Sequence, residues 1–145
     1  MRAILQRVNF AQVTVNERKI ASIEKGMVIL LGIGYGDDRA KAAQMVKKTA
    51  QMRIFEDDQG KMNLSLLDIH GAAIVVSQFT LYADTRKGNR PSFIDAAPPA
   101  LASPLVDFFV AEMRNLNISV QTGEFGAYMK VSLENDGPVT ISLEM

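Results

Sequence analysis

The 145-residue chain has no cysteine, no tryptophan, a single histidine and no excess of charge of either sign. Without cysteine it can form no disulfide, and it has neither a thiolate nucleophile nor a thiolate metal ligand. Its 16 basic and 16 acidic residues cancel, so contact with a nucleic acid would have to come from a local patch. No apolar run approaches the roughly 20 residues of a membrane span, and the first residues are too few and too interrupted for a signal peptide. We therefore expect a cytoplasmic protein.

The few groups that could support familiar catalytic or metal chemistry stand in poor contexts. His70 is followed by Gly71 just ahead of an apolar stretch, which is more typical of a loop residue than of a general base. With no second histidine and no cysteine, Ser-His-Asp and Cys-His arrangements find no support. The acidic run Glu56–Asp58 lacks the pattern of a calcium loop, and Gly32–Gly36 lacks the spacing of a nucleotide-binding glycine loop. We expect no metal and no cofactor.

Hydrophobic periodicity predicts a series of strands interrupted by two helices. Strands are predicted over residues 3–8, 10–15, 18–23, 26–33, 72–81, 119–122, 127–134 and 139–143. Helical spacing predicts one helix over 39–54, with Asp37 or Asp38 as its N-cap, and a second that begins at Ser103-Pro104. No linker or repeat interrupts the chain, so residues 1–145 are expected to form a single α+β domain with a largely antiparallel or mixed sheet.

The hexapeptide Asn135–Thr140 stands between two of these strand-like stretches. Its sequence, Asn-Asp-Gly-Pro-Val-Thr, is rich in turn residues, and proline is excluded from central strands, so the segment predicts a hairpin turn. The alternative is a rigid backbone element that presents carbonyl or amide groups to a ligand, since Gly137 has no side chain to block close approach.

Polar residues within the predicted strand 72–81 are a second candidate for ligand contact. Ser77 and Phe79 would point to one face, while Gln78 and Thr80 would point to the other. Because buried polar groups need partners, these residues either bond to neighbouring strands or offer hydroxyl, amide and backbone N–H groups to a ligand.

A long aperiodic segment, residues 82–100, carries the third candidate. Arg86, Lys87 and Arg90 place three cations within five residues. Such a cluster either lies on a solvated loop or binds the phosphates of a polyanion.

Together, Ser77-Gln-Phe-Thr-Leu81 and Asn135–Thr140 resemble the two signature motifs of the D-aminoacyl-tRNA deacylases, also called D-Tyr-tRNA(Tyr) deacylases. The similarity covers the full chain and includes Ile4–Val8, Arg53–Phe55, Gly60–Asn63 and Arg90–Phe93. The resemblance implies a barrel-like sheet packed with two main helices. It also implies an enzyme that hydrolyses the ester between a D-amino acid and the 3′-terminal adenosine of tRNA, which recycles tRNA and keeps D-residues out of translation.

The resemblance further implies a homodimer with a site at each side of the interface. The Gly137-Pro138 peptide bond is expected to be cis and to reach into the other subunit's pocket. There its carbonyls would hold the amino group of the substrate so that an L side chain would clash. Arg7 matches the family arginine that braces this element. The residues that would face the ester and the terminal adenosine are Ser77, Gln78, Phe79 and Thr80, with Phe125 to Met129 as part of the adenosine pocket.

An aminoacyl ester is already activated, so we expect hydrolysis without a protein nucleophile. Backbone N–H groups around Phe79-Thr80 would stabilise the developing oxyanion, and water or the ribose 2′-hydroxyl of the tRNA would act at the carbonyl. Thr80 Oγ1 is the rival nucleophile, although no base is visible to activate it. Because glycine has no side chain to clash, a steric filter predicts that glycyl-tRNA is also a substrate.

Two functions of other classes remain as alternatives. A non-catalytic RNA-binding module would use the Arg86-Lys87-Arg90 loop, but the chain is neutral overall and has few aromatic residues for base stacking. A small serine esterase would use Ser77, but no G-x-S-x-G elbow and no suitable histidine accompany it.

Overall fold

A computed structural model describes all 145 residues, which form eight strands, two α-helices and one short 3-10 helix. The strands are β1 (Arg2–Val15), β2 (Arg18–Ile23), β3 (Gly26–Gly32), β4 (Phe55–Glu56), β5 (Met62–Leu64), β6 (Ala72–Ser77), β7 (Ser119–Thr122) and β8 (Lys130–Glu144). The helices are α1 (Arg39–Ala50), α2 (Pro99–Asn115) and the 3-10 helix (Phe79–Tyr82). None of the helices is long and apolar enough to cross a membrane.

The main sheet is mixed and curls toward closure. Its strands follow the order β2-β1-β3-β6-β7, and β8 also pairs with β1. β1 is antiparallel to β2, β3 and β8, whereas β3 and β7 are parallel to β6. The end strands β2 and β7 meet through Gln121, whose side-chain amide donates to the Ser22 carbonyl at 2.6 Å and accepts from the Ser22 N–H at 2.8 Å. The barrel-like α+β fold is therefore confirmed.

Apolar side chains fill both faces of the sheet. The larger buried cluster, which includes Phe109, lies between the sheet and the two helices. A smaller cluster, which includes Val13, contains residues of the strands alone. β3 supplies Ile29 to the first cluster and Val28 to the second. Burial on both faces explains why this strand is apolar along its whole length.

Two pairs of predicted strands are each one continuous strand. Residues 3–8 and 10–15 together form β1, which continues through a register shift between Val8 and Phe10. The predicted hairpin turn at Asn135–Thr140 is wrong, because β8 runs through this segment and both of its halves pair with β1. The turn-forming residues therefore lie in a bulge of a continuous strand, and the chain does not reverse its direction there.

The predicted strand 72–81 is also too long. β6 ends at Ser77, and the next residues wind into the 3-10 helix, so the expected alternation of Ser77 and Phe79 with Gln78 and Thr80 is wrong. β-Branched and aromatic residues continue the strand pattern past its true end, which is why periodicity missed the change.

Both α-helices differ from the prediction at one end. α1 stops at Ala50 and not at residue 54: Gln51 is its C-cap, and the chain then leads through the buried Ile54 into β4. α2 begins at Pro99 and not at Ser103, since proline at the first helical position lacks only an N–H that would have no partner there. The N-cap of α1 is Asp38, whose Oδ1 accepts from the Lys41 N–H at 2.8 Å.

Replacing a fully buried ring in α2 should test the larger cluster. Phe109→Ala should lower the free energy of unfolding by about 3–5 kcal/mol, because apolar burial is lost and a cavity remains. Urea denaturation at a fixed protein concentration measures the change. Tyr35→Ala removes an aromatic ring that is 64% exposed and should cost about 0.5 kcal/mol or less. Equal losses for the two variants would contradict this description of the core.

Candidate active site

A mostly apolar pocket of about 610 Å³ opens where β3 and β6 end. Its other walls are the loop around Phe93, the first half of α2 and the segment Phe125–Met129. Ser77, Gln78 and Tyr128 supply the polar side chains of the lining. A concave apolar surface with a few polar groups is typical of a small-ligand site.

The pocket brings together five of the predicted site residues, which are Ser77, Gln78, Phe79, Phe125 and Met129. Thr80 does not line the cavity. It lies exposed beside it, and its Oγ1 accepts a hydrogen bond from the side-chain amide of Gln78. Tyr128, which lies within the predicted segment Phe125 to Met129, also lines the pocket, and so does Phe93, to which sequence reasoning gave no place in the pocket. For Phe93, an aromatic residue in a glycine- and proline-containing loop was the only signal available.

The end of β6 leaves backbone donors free at the edge of the pocket. The Gln78 N–H donates to the Leu31 carbonyl at 2.8 Å, which continues the hydrogen bonding between β3 and β6. The 3-10 helix then starts with the Leu81 N–H, which donates to the Gln78 carbonyl at 3.3 Å. The first N–H groups of a helix have no partner inside it, and here these belong to Phe79 and Thr80.

Phe79 also anchors the loop that follows the 3-10 helix. Its ring meets that of Phe93 edge to face, with centroids 5.1 Å apart. Two backbone hydrogen bonds join Asp84 and Ser92, at 2.8 and 2.9 Å, so the loop between them is closed at its base. This geometry holds Phe93 at the pocket, whereas residues 85–91 do not line it.

The three cations of this loop do not line the pocket. Arg86 makes a two-nitrogen contact with the Asp84 carboxylate, at 2.9 and 2.8 Å. Hydrogen bonds from Arg86 lower the pKa of Asp84 to about 2, so the pair stays charged at neutral pH. Lys87 and Arg90 are exposed and form no ion pair.

The cis peptide bond Gly137-Pro138 lies in a large bulge of β8. Four residues, Asp136 to Val139, stand opposite the single residue Arg7 of β1. Gly137 has φ +125°, and a Cβ there would lie 3.1 Å from Arg7 Nη2, so only glycine fits without strain. Gly137 and Pro138 are exposed and are absent from the lining of the pocket in their own protomer.

Arg7 supports this bulge from inside the protein. Its side chain is only 4% exposed, and its Nε donates to the Asp136 carbonyl at 3.0 Å. Nη1 donates to the Ile54 carbonyl at 2.6 Å, and Nη2 lies 3.6 Å from the Glu56 carboxylate. Asp136 adds a carboxylate oxygen 3.0 Å from Nε. A buried guanidinium with this many partners fixes the backbone that bonds to it.

Asp37 is the centre of a polar cluster that includes Tyr82, the last residue of the 3-10 helix. From the sequence alone, Asp37 is predicted only as a possible helix cap. The nearly buried carboxylate accepts from the Met1 ammonium at 2.6 Å, the Gly34 N–H at 2.7 Å and the Tyr82 hydroxyl at 3.3 Å. Burial acts to raise the pKa of Asp37, but the hydrogen bonds from Met1 and Gly34 outweigh it and the pKa is lowered. The sequence did offer one signal for this role: Asp37 and Asp38 are adjacent, but a helix N-cap needs only one of them, which leaves the other for a different contact.

Tyr82 and Arg2 complete this cluster. Burial, and then the negative charge of Asp37, raise the pKa of Tyr82 to about 12. Arg2 lies over the Tyr82 ring at 4.6 Å from its centroid, and its Nη1 donates to the Leu81 carbonyl at 3.0 Å. The 3-10 helix is therefore held at its end by two side chains from other parts of the chain, Arg2 and Asp37.

His70 is not part of this site. It has φ +50° in a turn and does not line the pocket. No group of three or more His, Asp or Glu side chains is placed to hold a metal ion.

A model of the D-Tyr-tRNA(Tyr) deacylase family matches residues 4–144. The chain belongs to this family. It is 60% identical to a D-aminoacyl-tRNA deacylase of Roseiflexus sp. strain RS-1 over 144 residues, which are 99% of this chain and 93% of the relative. It is 56% identical to a D-aminoacyl-tRNA deacylase of Thermosipho melanesiensis, over 99% of this chain and 97% of the relative. The predicted family and the predicted class, a hydrolase acting on ester bonds, are confirmed.

Two solved structures share the fold of this family member. The c-Myc DNA unwinding element binding protein superposes with a TM-score of 0.94 at 40% identity, over 100% of this chain and 99% of the other. A probable eukaryotic D-amino acid tRNA deacylase superposes with a TM-score of 0.84 over 99% and 98% of the two chains. At 17% identity, this second likeness shows the fold alone.

Removing the Asp37 charge should destabilise the protein in a pH-dependent way. Because the folded state lowers the pKa of Asp37, its contribution is complete above the unfolded pKa and is lost as the pH falls through the folded pKa. Asp37→Asn should therefore cost about 1–3 kcal/mol at pH 7, and the difference from wild type should shrink below about pH 4. Urea denaturation at several pH values measures both effects.

Asp38→Asn is the matched control, since it makes the same change at the neighbouring residue and asparagine is an equally good N-cap. It should leave the stability nearly unchanged. A constant destabilisation by Asp37→Asn from pH 7 to pH 3 would show that the carboxylate charge is not responsible.

Proposed function

We propose that this family member hydrolyses the ester bond of D-aminoacyl-tRNA in the cytoplasm, releasing a free D-amino acid and tRNA. One observation carries the proposal. The pocket at the end of β6 is mostly apolar and places Ser77 and Gln78 beside free backbone donors, while the rigid Gly137-Pro138 element is exposed on the same protomer and does not line that pocket. The two features complement each other if two protomers meet. The family match and the names of the curated relatives support the substrate class.

The proposed chemistry needs no protein nucleophile. A water oxygen, or water assisted by the ribose 2′-hydroxyl of the tRNA, attacks the ester carbon and gives a tetrahedral oxyanion. The N–H groups of Phe79 and Thr80, which lack partners within the 3-10 helix, would stabilise that charge. One such donor is typically worth about 10²–10³ in rate. When the oxyanion collapses, the bond to the ribose oxygen breaks, and that oxygen takes up the proton that the water gave up.

The proposed chiral filter is made of backbone from the second subunit of a homodimer. The carbonyls of Gly137 and Pro138 would enter the partner's pocket and hold the amino group of the substrate. In that position an L side chain would clash with the main chain, whereas a D side chain would extend into the apolar cavity. Arg7 supports this role because its buried contacts leave the bulge little freedom to move aside. Main-chain recognition also fits a filter that accepts many different D-amino acids.

The two alternative functions are less well supported by the geometry. For an RNA-binding module built on the loop 86–90, the strong pairing of Arg86 with Asp84 removes one of the three cations from phosphate binding. For a serine esterase, Ser77 lines the pocket, but the only histidine of the chain does not. Lys87 and Arg90 could still contribute to tRNA binding next to the catalytic site.

The substrate range of the purified protein should separate these functions. D-tyrosyl-tRNA, D-aspartyl-tRNA and glycyl-tRNA should all release their amino acid, whereas L-tyrosyl-tRNA should react at least about 100-fold more slowly, the effect of a clash of about 3 kcal/mol. Release of labelled amino acid from each tRNA is the measurement. Inert glycyl-tRNA beside active D-aminoacyl-tRNA would refute the steric account, and equal rates for D- and L-tyrosyl-tRNA would refute chiral selection.

A second experiment distinguishes backbone stabilisation from attack by Thr80. If the Thr80 N–H is the catalytic group, Thr80→Ala should keep turnover within about tenfold of wild type, since it removes only one side-chain hydrogen bond of about 1 kcal/mol. Single-turnover hydrolysis of D-tyrosyl-tRNA is the measurement, with Thr80→Ser as the control that retains the hydroxyl. Loss of turnover in Thr80→Ala, with tRNA binding intact and activity recovered in Thr80→Ser, would instead establish a side-chain nucleophile.

A further inference from the structure

A second concave surface, the basic groove, lies at the end of α1. It has a volume of about 400 Å³, and its charged lining residues are Lys47, Lys48 and Arg53. The remaining lining residues are glutamines and methionines, and no aspartate or glutamate is among them. In a chain with no net charge, three cations around one groove form a marked local excess of positive charge.

The three cations are available to an external anion. All three are exposed, and none takes part in the ion pairs of the chain. Arg53 donates its Nε to the Asn63 carbonyl at 2.7 Å, which orients the guanidinium and leaves its two Nη groups without a hydrogen-bond partner. A guanidinium oriented in this way is suited to bidentate contact with a phosphate.

Helix capping accounts for only part of this arrangement. Lys47 and Lys48 stand in the last turn of α1, where cations favour the negative end of the helix dipole. Arg53 lies beyond the helix and takes no part in that interaction. The pKa of Asp57 is lowered first by the Lys61 N–H and also by the charge of Arg53, yet Asp57 forms no ion pair with it. The charge of Arg53 is therefore not neutralised by a bound carboxylate.

The Arg53 end of the groove is connected to the Gly137-Pro138 bulge through Arg7. Arg53 precedes Ile54, whose carbonyl accepts from Arg7 Nη1 at 2.6 Å. Arg7 in turn donates to the carbonyl of Asp136, the residue before Gly137. In the proposed dimer this bulge enters the pocket of the other subunit. The groove of one protomer would consequently border the pocket of its partner.

We propose that the basic groove binds the sugar-phosphate backbone of the tRNA acceptor stem whose aminoacylated 3′ end occupies the partner's pocket. This inference rests on the proposed function and names the surface that distinguishes a tRNA from a free aminoacyl ester. One subunit then supplies both the chiral filter and the phosphate contacts for the substrate in the other. The loop 86–90 is the competing surface, but Arg86 there is paired with Asp84.

The test compares two charge-matched triple variants of the full-length protein. The groove variant is Lys47→Gln/Lys48→Gln/Arg53→Gln, and the control variant is Arg18→Gln/Lys19→Gln/Lys25→Gln, which removes three exposed cations around β2. Binding of uncharged tRNA is measured from 50 to 300 mM salt. The slope of log K against log salt should fall in magnitude by about 2–3 for the groove variant, and affinity near 150 mM salt should drop on the order of 10- to 100-fold. The control variant should change neither.

Hydrolysis kinetics with two substrates test whether the groove contacts the acceptor stem. With D-tyrosyl-tRNA the groove variant should raise KM and leave kcat unchanged. With D-tyrosyl-adenosine, which carries the ester but no acceptor stem, both variants should match wild type. Thermal unfolding of each variant checks that the fold is intact.

The outcomes separate this inference from the proposed function. A groove variant that binds tRNA as tightly as the control variant overturns the inference, and so does a loss of salt dependence in Lys87→Gln/Arg90→Gln that is absent in the groove variant. If wild type hydrolyses neither ester, the proposed function fails, while the salt dependence of tRNA binding still decides whether the groove is the RNA surface.

Discussion

The buried guanidinium of Arg7 is the interaction on which the candidate site depends. An unpaired charge in a protein interior costs several kcal/mol, so its partners must stay in place for the fold to be stable. Those partners come from the β8 bulge, through Asp136, and from the segment after α1, through Ile54 and Glu56. The φ of +125° at Gly137, together with Nη2 only 3.1 Å from where a Cβ would stand, makes any side chain at this position strained. A single cation thus ties the shape of an exposed backbone element to the interior of the barrel.

The two motifs of the chain lie apart within one protomer. Ser77 to Phe79 border the pocket, whereas Gly137 and Pro138 project from a strand that contributes only Val131 to its lining. A rigid, exposed and apolar dipeptide has no evident use within its own subunit. Under the proposed function, the barrel positions a reaction site on one surface and a stereochemical wall on another, and dimerisation brings a copy of each together.

Local patterns determined much of the fold. β2, β7 and the start of α1 follow from apolar spacing and capping residues that act within a few positions. The end of β6 does not, since Phe79 to Tyr82 continue a strand-like composition. Their 3-10 conformation is accompanied by two distant hydrogen bonds: Arg2, 79 positions away, donates to the Leu81 carbonyl, and Asp37, 45 positions away, accepts from the Tyr82 hydroxyl. The β8 bulge likewise needs Arg7, 129 residues distant. Motif resemblance located both segments, but not their backbone conformation.

The change from strand to 3-10 helix bears directly on the proposed chemistry. In an extended strand, successive N–H groups point to opposite edges and pair with neighbouring strands, so those of Phe79 and Thr80 could not serve one oxyanion. At the start of a helix, successive N–H groups point in a common direction and lack internal partners. A site without a usable histidine, cysteine or metal cluster can then still stabilise a tetrahedral intermediate, provided that the turn is held rigid. Tyr82, Asp37 and Arg2 hold that turn from outside the pocket, so under the proposed function the polar cluster would support catalysis without touching the substrate.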